Sequence, residues 1–194
     1  MKIMAWDYLA ASQFLNRGVD DNNLRLSAGA VPQHCASHGV ELAIKSLLLS
    51  VDVFYDPKGD GHDLVKLRAQ VLDRPEVLNA DTTMLELLGK LEHDSITDLQ
   101  GVRVLGGQTI DHSIGSSHGI TPEMLFKWYG VRHRDAGGWF RYPKERLERT
   151  PTMWVRTEDG RFNAVQLLPL ALEYWLEAFL NAIEVTVHSE VDGK

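Results

Sequence analysis

The stretch PQHCASHGVELAIKSLLLSV, residues 32–51, decides the fold class of this chain. Val40, Ile44 and Leu47 recur at helical spacing, and further leucines widen their stripe almost all round the helix. The residues that widen it are Leu42, Leu48 and Leu49. Pro32 suits a first helical turn, where its missing N–H costs nothing. Because a helix that is apolar on nearly every side is buried, the sequence predicts a central helix surrounded by others.

Periodic apolar residues and capping residues predict further helices on both sides of this stretch. They lie at about Trp6 to Phe14, Asp63 to Val71, Asp81 or Thr82 to Leu91, Thr121 to Tyr129, and Gln166 to Val187. Helices with short or moderate connections form bundles. We therefore expect one domain over residues 1–194, mainly α, an up-and-down bundle of about five to six helices.

Two segments break the helical pattern. Asp159-Gly160, between Met153–Thr157 and Arg161–Val165, predicts a small β-hairpin inserted into the bundle. Residues 100–120 are rich in glycine and serine and predict a long surface loop, with a short strand at Val102–Leu105.

Composition narrows the class of protein. The net charge of −7 argues against general coating of nucleic acid. Cys35 is the single cysteine, so no internal disulfide can form and a reducing compartment is expected. The first residues predict an amphipathic helix rather than a signal peptide, and no apolar run is long enough to span a bilayer. These features predict a cytoplasmic protein without membrane contact.

Polar residues form a second stripe on the central helix. His34, His38, Glu41 and Lys45 follow one another at i, i+4, i+7 and i+11. A buried Glu or Lys must be paired, and these two can pair with each other. The stripe either closes an interhelical or dimer seam or lines a ligand-binding cleft. The alternative is a metal ion held by His34 and His38, with Glu41 or His62 as the third ligand. No second histidine pair supports this alternative, so no metal or cofactor is predicted.

His62 lies in Gly61-His62-Asp63-Leu64, at a junction between a loop and a helix. Asp63 is a good N-cap residue, and this structural explanation is favoured. The alternative is an anion site at the same junction, with His62 as a ligand.

Residues 126–149 combine basic and aromatic side chains. Seven basic side chains and three acidic ones occur there, interleaved with six aromatic residues. Basic groups beside aromatic faces suit phosphates and unpaired bases, so Arg132, Arg141 and Tyr142 are candidate ligands. The alternative is a solvated loop whose aromatic residues pack on the bundle.

Three short motifs in order resemble the HEPN family. His38-Gly39-Val40-Glu41-Leu42-Ala43-Ile44-Lys45-Ser46-Leu47-Leu48-Leu49 is similar to the central HEPN helix, which often carries Glu-Leu-x-x-Lys-x-Leu-Leu. Gly61-His62-Asp63-Leu64 and Phe140-Arg141-Tyr142-Pro143 are similar to later family segments. The resemblance implies a helical bundle, often dimeric, in proteins of phage defence or stress response. Some members are ribonucleases, and others bind RNA or nucleotides.

The ribonuclease members carry an Arg followed by a His with four to six residues between them. This sequence has no such pair: Arg25 and His34, and Arg103 and His112, are too far apart. We therefore expect a non-catalytic RNA- or nucleotide-binding module that forms a homodimer. Another interpretation is an interaction subunit whose partner protein is encoded elsewhere. The alternative is a HEPN-type or metal-dependent ribonuclease or other hydrolase.

Overall fold

A computed structural model describes the backbone of residues 1–20, 30–51, 61–96, 103–104, 120–141, 152–156 and 162–192. Side chains are described over 1–17, 31–51, 61–90, 120–133 and 168–184. Within these ranges six helices occur: α1 (Lys2–Asp20), α2 (Ala30–Ser50), α3 (Leu64–Ala69), α4 (Pro75–Ile96), α5 (Pro122–Arg141) and α6 (Leu167–Asp192). The mainly helical bundle predicted from the sequence is confirmed.

The helix α2 lies at the centre of the bundle and packs against α1, α3, α5 and α6. Val40, Ala43, Ile44 and Leu48 on this helix are fully buried. Leu49, which the sequence placed in the apolar stripe, is instead exposed. Leu47 and Leu48 just before it are buried, so Leu49 lies on the outward-facing side of α2.

Gly39 allows α2 to approach its neighbours closely. A Cβ atom at this position would lie 2.8 Å from Leu176 Cδ2 on α6 and 3.3 Å from the carbonyl oxygen of Ala5 on α1. A glycine inside a helix is normally a cost. Here the lack of a side chain brings three helices together, one residue after His38.

Several helix boundaries differ from those predicted; α1, for example, spans Lys2–Asp20 rather than about Trp6 to Phe14. The helix α4 begins at Pro75, not at Asp81 or Thr82. Asp81 caps nothing, since its carboxylate accepts hydrogen bonds from Trp175 Nε1 at 2.7 Å and Arg68 at 2.6 Å. The helix α5 continues to Arg141, beyond the predicted end at Tyr129. Gly130 does not end α5. A Cβ atom at this position would lie 2.8 Å from Val65 Cγ2, so the glycine allows close packing of α5 against α3.

Three short strands accompany the helices: β1 (Arg103–Val104), β2 (Thr152–Arg156) and β3 (Phe162–Gln166). They form a sheet in the order β1-β2-β3. Both pairs are antiparallel, with Trp154 opposite Arg103 on one side and Ala164 on the other. The predicted turn at Asp159-Gly160, and most of the predicted loop 100–120, lie outside the described residues. Of the described helices, none has the length and apolar character needed to cross a membrane.

Candidate functional site

The carboxylate of Glu41 is the centre of the candidate site. Glu41 lies in the middle of α2 and is only 1% exposed. Its Oε1 accepts a hydrogen bond from Lys45 Nζ, one turn later on the same helix. The predicted pairing of Glu41 with Lys45 is therefore confirmed. The ammonium of Lys45 compensates the buried negative charge of the Glu41 carboxylate.

Three histidines surround the other oxygen of this carboxylate. Glu41 Oε2 lies 2.6 Å from His133 Nε2, 3.1 Å from His62 Nδ1 and 3.5 Å from His38 Nδ1. His38 comes from α2, His62 from the turn before α3 and His133 from α5. We call Glu41, Lys45, His38, His62 and His133 the Glu41 cluster. Three separate parts of the chain thus meet at one carboxylate.

A second layer of contacts holds His133 in place. Ser37 Oγ lies 3.0 Å from His133 Nδ1 and donates a hydrogen bond to the carbonyl oxygen of His34, also 3.0 Å away. Both nitrogens of the buried His133 ring are therefore engaged. His34 itself lies one turn before His38, and its ring centroid is 6.1 Å from that of His38 and 6.4 Å from that of His133.

The cluster is buried at one end and open at the other. Ser37 and His133 are fully buried. The side chain of His62 is 46% exposed and that of His38 is 28% exposed. The ring of Tyr8 meets the His38 ring edge-on, with centroids 4.7 Å apart. A ligand from solvent therefore meets His62 and His38 first.

Burial and hydrogen bonding oppose each other at Glu41. Burial alone raises the pKa of this carboxyl group, but hydrogen bonds from His133, His38, Lys45 and His62 outweigh it. The pKa of Glu41 consequently lies far below its ordinary range, and the group is ionised. At His133, burial lowers the pKa of the imidazole more than the contact with Glu41 raises it.

The line Ser37–His133–Glu41 has the residue types of a nucleophilic triad, but not its accessibility. A serine nucleophile must reach a substrate carbonyl or phosphorus atom. Ser37 is fully buried, and its hydroxyl proton is donated to a main-chain oxygen. Ser37 orients the imidazole of His133 rather than attacking a substrate.

His133 is the member of the cluster that the sequence analysis missed. Arg132 and Arg134 flank it in a strongly charged segment, which favoured a surface interpretation. The available signal was helical spacing: Leu125, Tyr129 and His133 follow at intervals of four, and all three are buried. Extending α5 by one turn past Tyr129 would have placed His133 on the inner face of the helix.

The other predicted ligands lie in different surroundings. Arg132 is nearly buried: its guanidinium lies 3.7 Å from the centre of the Trp128 ring and donates to the Trp128 carbonyl oxygen at 3.1 Å. This position favours packing within α5. Arg141 is the last residue of α5, its side chain is not described, and Tyr142 lies outside the described residues. A phosphate-binding role for these three residues stays a prediction.

Asp63 caps α3, as the sequence analysis favoured. Its carboxylate accepts hydrogen bonds from the backbone N–H groups of Val65 at 3.1 Å and Lys66 at 3.2 Å. These bonds satisfy donors that a helix start otherwise leaves unpaired. The cap fixes the turn before α3, and so it positions His62 next to Glu41.

Cys35 is expected to react slowly with alkylating agents. Burial raises the pKa of its thiol, so less of the reactive thiolate is present at neutral pH. We expect iodoacetamide to modify the native protein at least about tenfold more slowly than the same protein unfolded in urea. Cys35 is the single cysteine, so mass spectrometry reads the rate without ambiguity. An equal or faster rate in the native protein would show a reactive thiol.

Three atoms of the cluster are close enough to share a metal ion. His38, Glu41 and His133 each offer one ligand atom, and these atoms lie within 4.8 Å of one another. Two imidazoles and a carboxylate are common ligands of divalent first-row metals. The site therefore has the chemistry to bind either a cation, through these lone pairs, or an anion, through the N–H groups of the same side chains.

Comparison of the chain with protein-family models, with curated protein sequences and with solved structures returns no match. The resemblance to the HEPN family therefore stays a prediction carried by the motifs of this sequence. Two of those motifs, the α2 segment around Glu41 and Lys45 and the segment around His62, meet in the Glu41 cluster.

Proposed function

We propose that this protein is a non-catalytic, HEPN-like module that binds RNA or a nucleotide through a phosphate group at the open end of the Glu41 cluster. In this proposal the bundle has up-and-down order, carries a small β-hairpin and functions as a homodimer. The observation that carries the proposal is the convergence of one lysine and three histidines on a single carboxylate.

The cluster has more nitrogen donors than oxygen acceptors. A lysine ammonium has three N–H groups, and each neutral imidazole has one. Glu41 is the single carboxylate in the cluster, beside four side chains that carry nitrogen, and it compensates the charge of Lys45. The cluster therefore has no excess negative charge to repel a phosphate, whose oxygens accept hydrogen bonds from N–H groups of this kind.

The exposed histidines provide the point of entry. His62 and His38 both turn Nδ1 toward Glu41, which leaves Nε2 of each ring for other contacts. His62, at 46% exposure, reaches solvent most freely. A phosphate oxygen bound by these rings would lie at the surface, as a phosphate within an RNA strand or a nucleotide requires.

The helix α5 links the cluster to the basic and aromatic segment. His133 lies in the cluster, and Arg141 follows it by eight residues on the same helix, a distance of about 12 Å along the axis. In the proposal, Arg141 and Tyr142 extend the binding surface for the rest of the ligand. Arg132 instead packs on Trp128, so its substitution is expected to affect stability more than binding.

Substitution at the cluster should weaken binding of labelled RNA or of a nucleotide. Lys45→Gln and His62→Gln each remove a hydrogen-bond donor. For Lys45→Gln we expect the dissociation constant to rise about tenfold, because the loss of one charge-assisted hydrogen bond has an effect of this size. Fluorescence anisotropy at low salt, followed by a salt series, measures this and its electrostatic part.

Lys90→Gln is the matched control for Lys45→Gln. It removes the same charge from an exposed position on α4, and its affinity should stay within about twofold of the wild type, with folding of every variant checked by circular dichroism. Equal affinities for wild type, Lys45→Gln and His62→Gln would refute the proposed site. Cleavage of the RNA would instead support the alternative of a ribonuclease or other hydrolase.

A further inference from the structure

The geometry points to a divalent-metal site: we propose that His38, Glu41 and His133 bind one Zn²⁺-like first-row cation. This inference goes beyond the proposed function, because the metal needs no phosphate ligand to bind. The three residues are contributed by two helices, α2 and α5, that pack directly against each other. Their ligand atoms already lie within 4.8 Å of one another.

The distances in the group fit one shared ion. Ligand atoms bound to zinc at about 2.0–2.2 Å in tetrahedral geometry lie about 3.3–3.6 Å apart. His38 Nδ1 is 3.5 Å from Glu41 Oε2. The corresponding distance from His133 Nε2 is 2.6 Å, the length of a hydrogen bond, so a small outward shift of this ring would accommodate an ion in place of the proton.

The hydrogen bonds of Ser37 favour a cation at this position. The serine hydroxyl has one proton, which it donates to the carbonyl oxygen of His34. Ser37 Oγ then accepts a hydrogen bond from Nδ1–H of His133 across 3.0 Å. With its Nδ1 held by Ser37, His133 directs Nε2 at the carboxylate across 2.6 Å. Two such atoms need a positive charge between them, which is either the proton of the hydrogen bond described above or a metal ion in its place.

This arrangement resembles the general design of histidine metal sites. A ligating imidazole usually donates its other N–H to a fixed oxygen, which sets its tautomer and orientation. Ser37 provides that oxygen for His133. Lys45 binds Glu41 Oε1 and leaves Oε2 for the metal. The deeply buried part of the site is therefore preorganised to hold the ligands.

The open end of the cluster leaves room for further ligands. Three protein ligands leave at least one position on a four-coordinate metal, the arrangement typical of catalytic rather than structural zinc. His62 Nδ1, 3.1 Å from Glu41 Oε2, lies beside that position on the exposed side. Water or a phosphate oxygen can occupy it, so a bound metal would also strengthen binding of the proposed phosphate ligand.

Metal titration of chelator-stripped protein tests the inference. Calorimetry with Zn²⁺ and Co²⁺, in the absence of any nucleotide, should show one ion per chain and a higher melting temperature of the loaded protein. His38→Gln removes a partly exposed ligand and should weaken binding at least about tenfold. Glu86→Gln, which removes an exposed carboxylate from α4, outside the cluster, is the control and should bind within about threefold of the wild type.

Three results would overturn the proposal. The first is no binding of Zn²⁺ or Co²⁺ at millimolar metal, and the second is equal binding by wild type and His38→Gln. A measurement on the wild type covers the case in which a variant does not fold. Metal addition should shift the imidazole ¹⁵N resonances of His38 and His133 together. The third result that would overturn the proposal is metal binding that leaves both resonances unchanged. Because no nucleotide is present, failure here leaves the phosphate proposal standing, and the reverse also holds.

Discussion

Replacing Glu41 with glutamine is expected to lower the free energy of unfolding by about 3–5 kcal/mol, the usual cost of breaking a buried ion pair by removing one partner. The amide is close in size to the carboxylate, so packing changes little. Lys45 is left with its charge in a nearly buried position, and the histidine contacts lose their charged acceptor. Urea denaturation of metal-free protein, with the same slope for both variants, measures the difference.

Glu86→Gln is the matched control, because Glu86 is exposed in the middle of α4. Its effect should stay within about 0.5 kcal/mol.

The pH dependence of stability provides a second check on Glu41. The pKa of Glu41 is lowered in the folded protein, so its contribution is present above the unfolded pKa of about 4.3 and is lost as the pH falls below it. Glu41→Gln should lack this part of the acid destabilisation. Equal stability of Glu41→Gln and wild type would contradict the central position of this carboxylate.

Trp175→Ala should lower the free energy of unfolding by about 3–5 kcal/mol through loss of a large buried side chain. Trp175 is fully buried on α6, stacked on Phe179 with centroids 4.7 Å apart and edge-on to Phe126 at 4.8 Å. Its Nε1 also donates a hydrogen bond to Asp81 on α4. Thermal and urea unfolding both measure the loss.

Trp175→Phe separates the two contributions. It keeps an aromatic ring in the core but removes the bond to Asp81, so an intermediate loss of about 1–3 kcal/mol is expected. Leu78→Ala removes an exposed apolar side chain from α4 and should change stability by about 0.5 kcal/mol or less. If Trp175→Ala were no worse than Leu78→Ala, the buried position of Trp175 described above would be incorrect.

The sequence predicted the core of the bundle because helical periodicity is a local property. The apolar stripe of α2 and the cap at Asp63 are both read from neighbouring residues, and both are confirmed. The start of α4 was wrong for the same reason. Asp81 has the side chain of a cap, but its partners are Trp175 and Arg68, which are distant in sequence and therefore invisible to a local pattern.

The candidate site was only half predictable. The spacing of His38, Glu41 and Lys45 placed them on one face of a helix, and the pairing of the last two followed from that spacing. His133 contacts Glu41 from 92 residues away, and no local rule connects them. The neighbouring Arg132 attracted attention as a charged residue, although it packs on Trp128, while the histidine beside it completes the cluster.

Glu41, rather than the basic segment 126–149, is therefore the organising group of the proposed site. Its carboxylate compensates Lys45, aligns three imidazoles and, in the proposals above, contributes to a cation site with a phosphate site beside it. Loss of stability without loss of binding in the Glu41 and Lys45 variants would mean that the cluster is structural alone.

The most direct test is anomalous diffraction from crystals of chelator-stripped protein soaked with Zn²⁺, recorded on both sides of the zinc absorption edge. We expect one strong anomalous peak at about 2.0–2.2 Å from a nitrogen of His38, a nitrogen of His133 and an oxygen of Glu41. A zinc ion bound at full occupancy elsewhere, with His133 still hydrogen-bonded to Glu41, would contradict the proposed metal site.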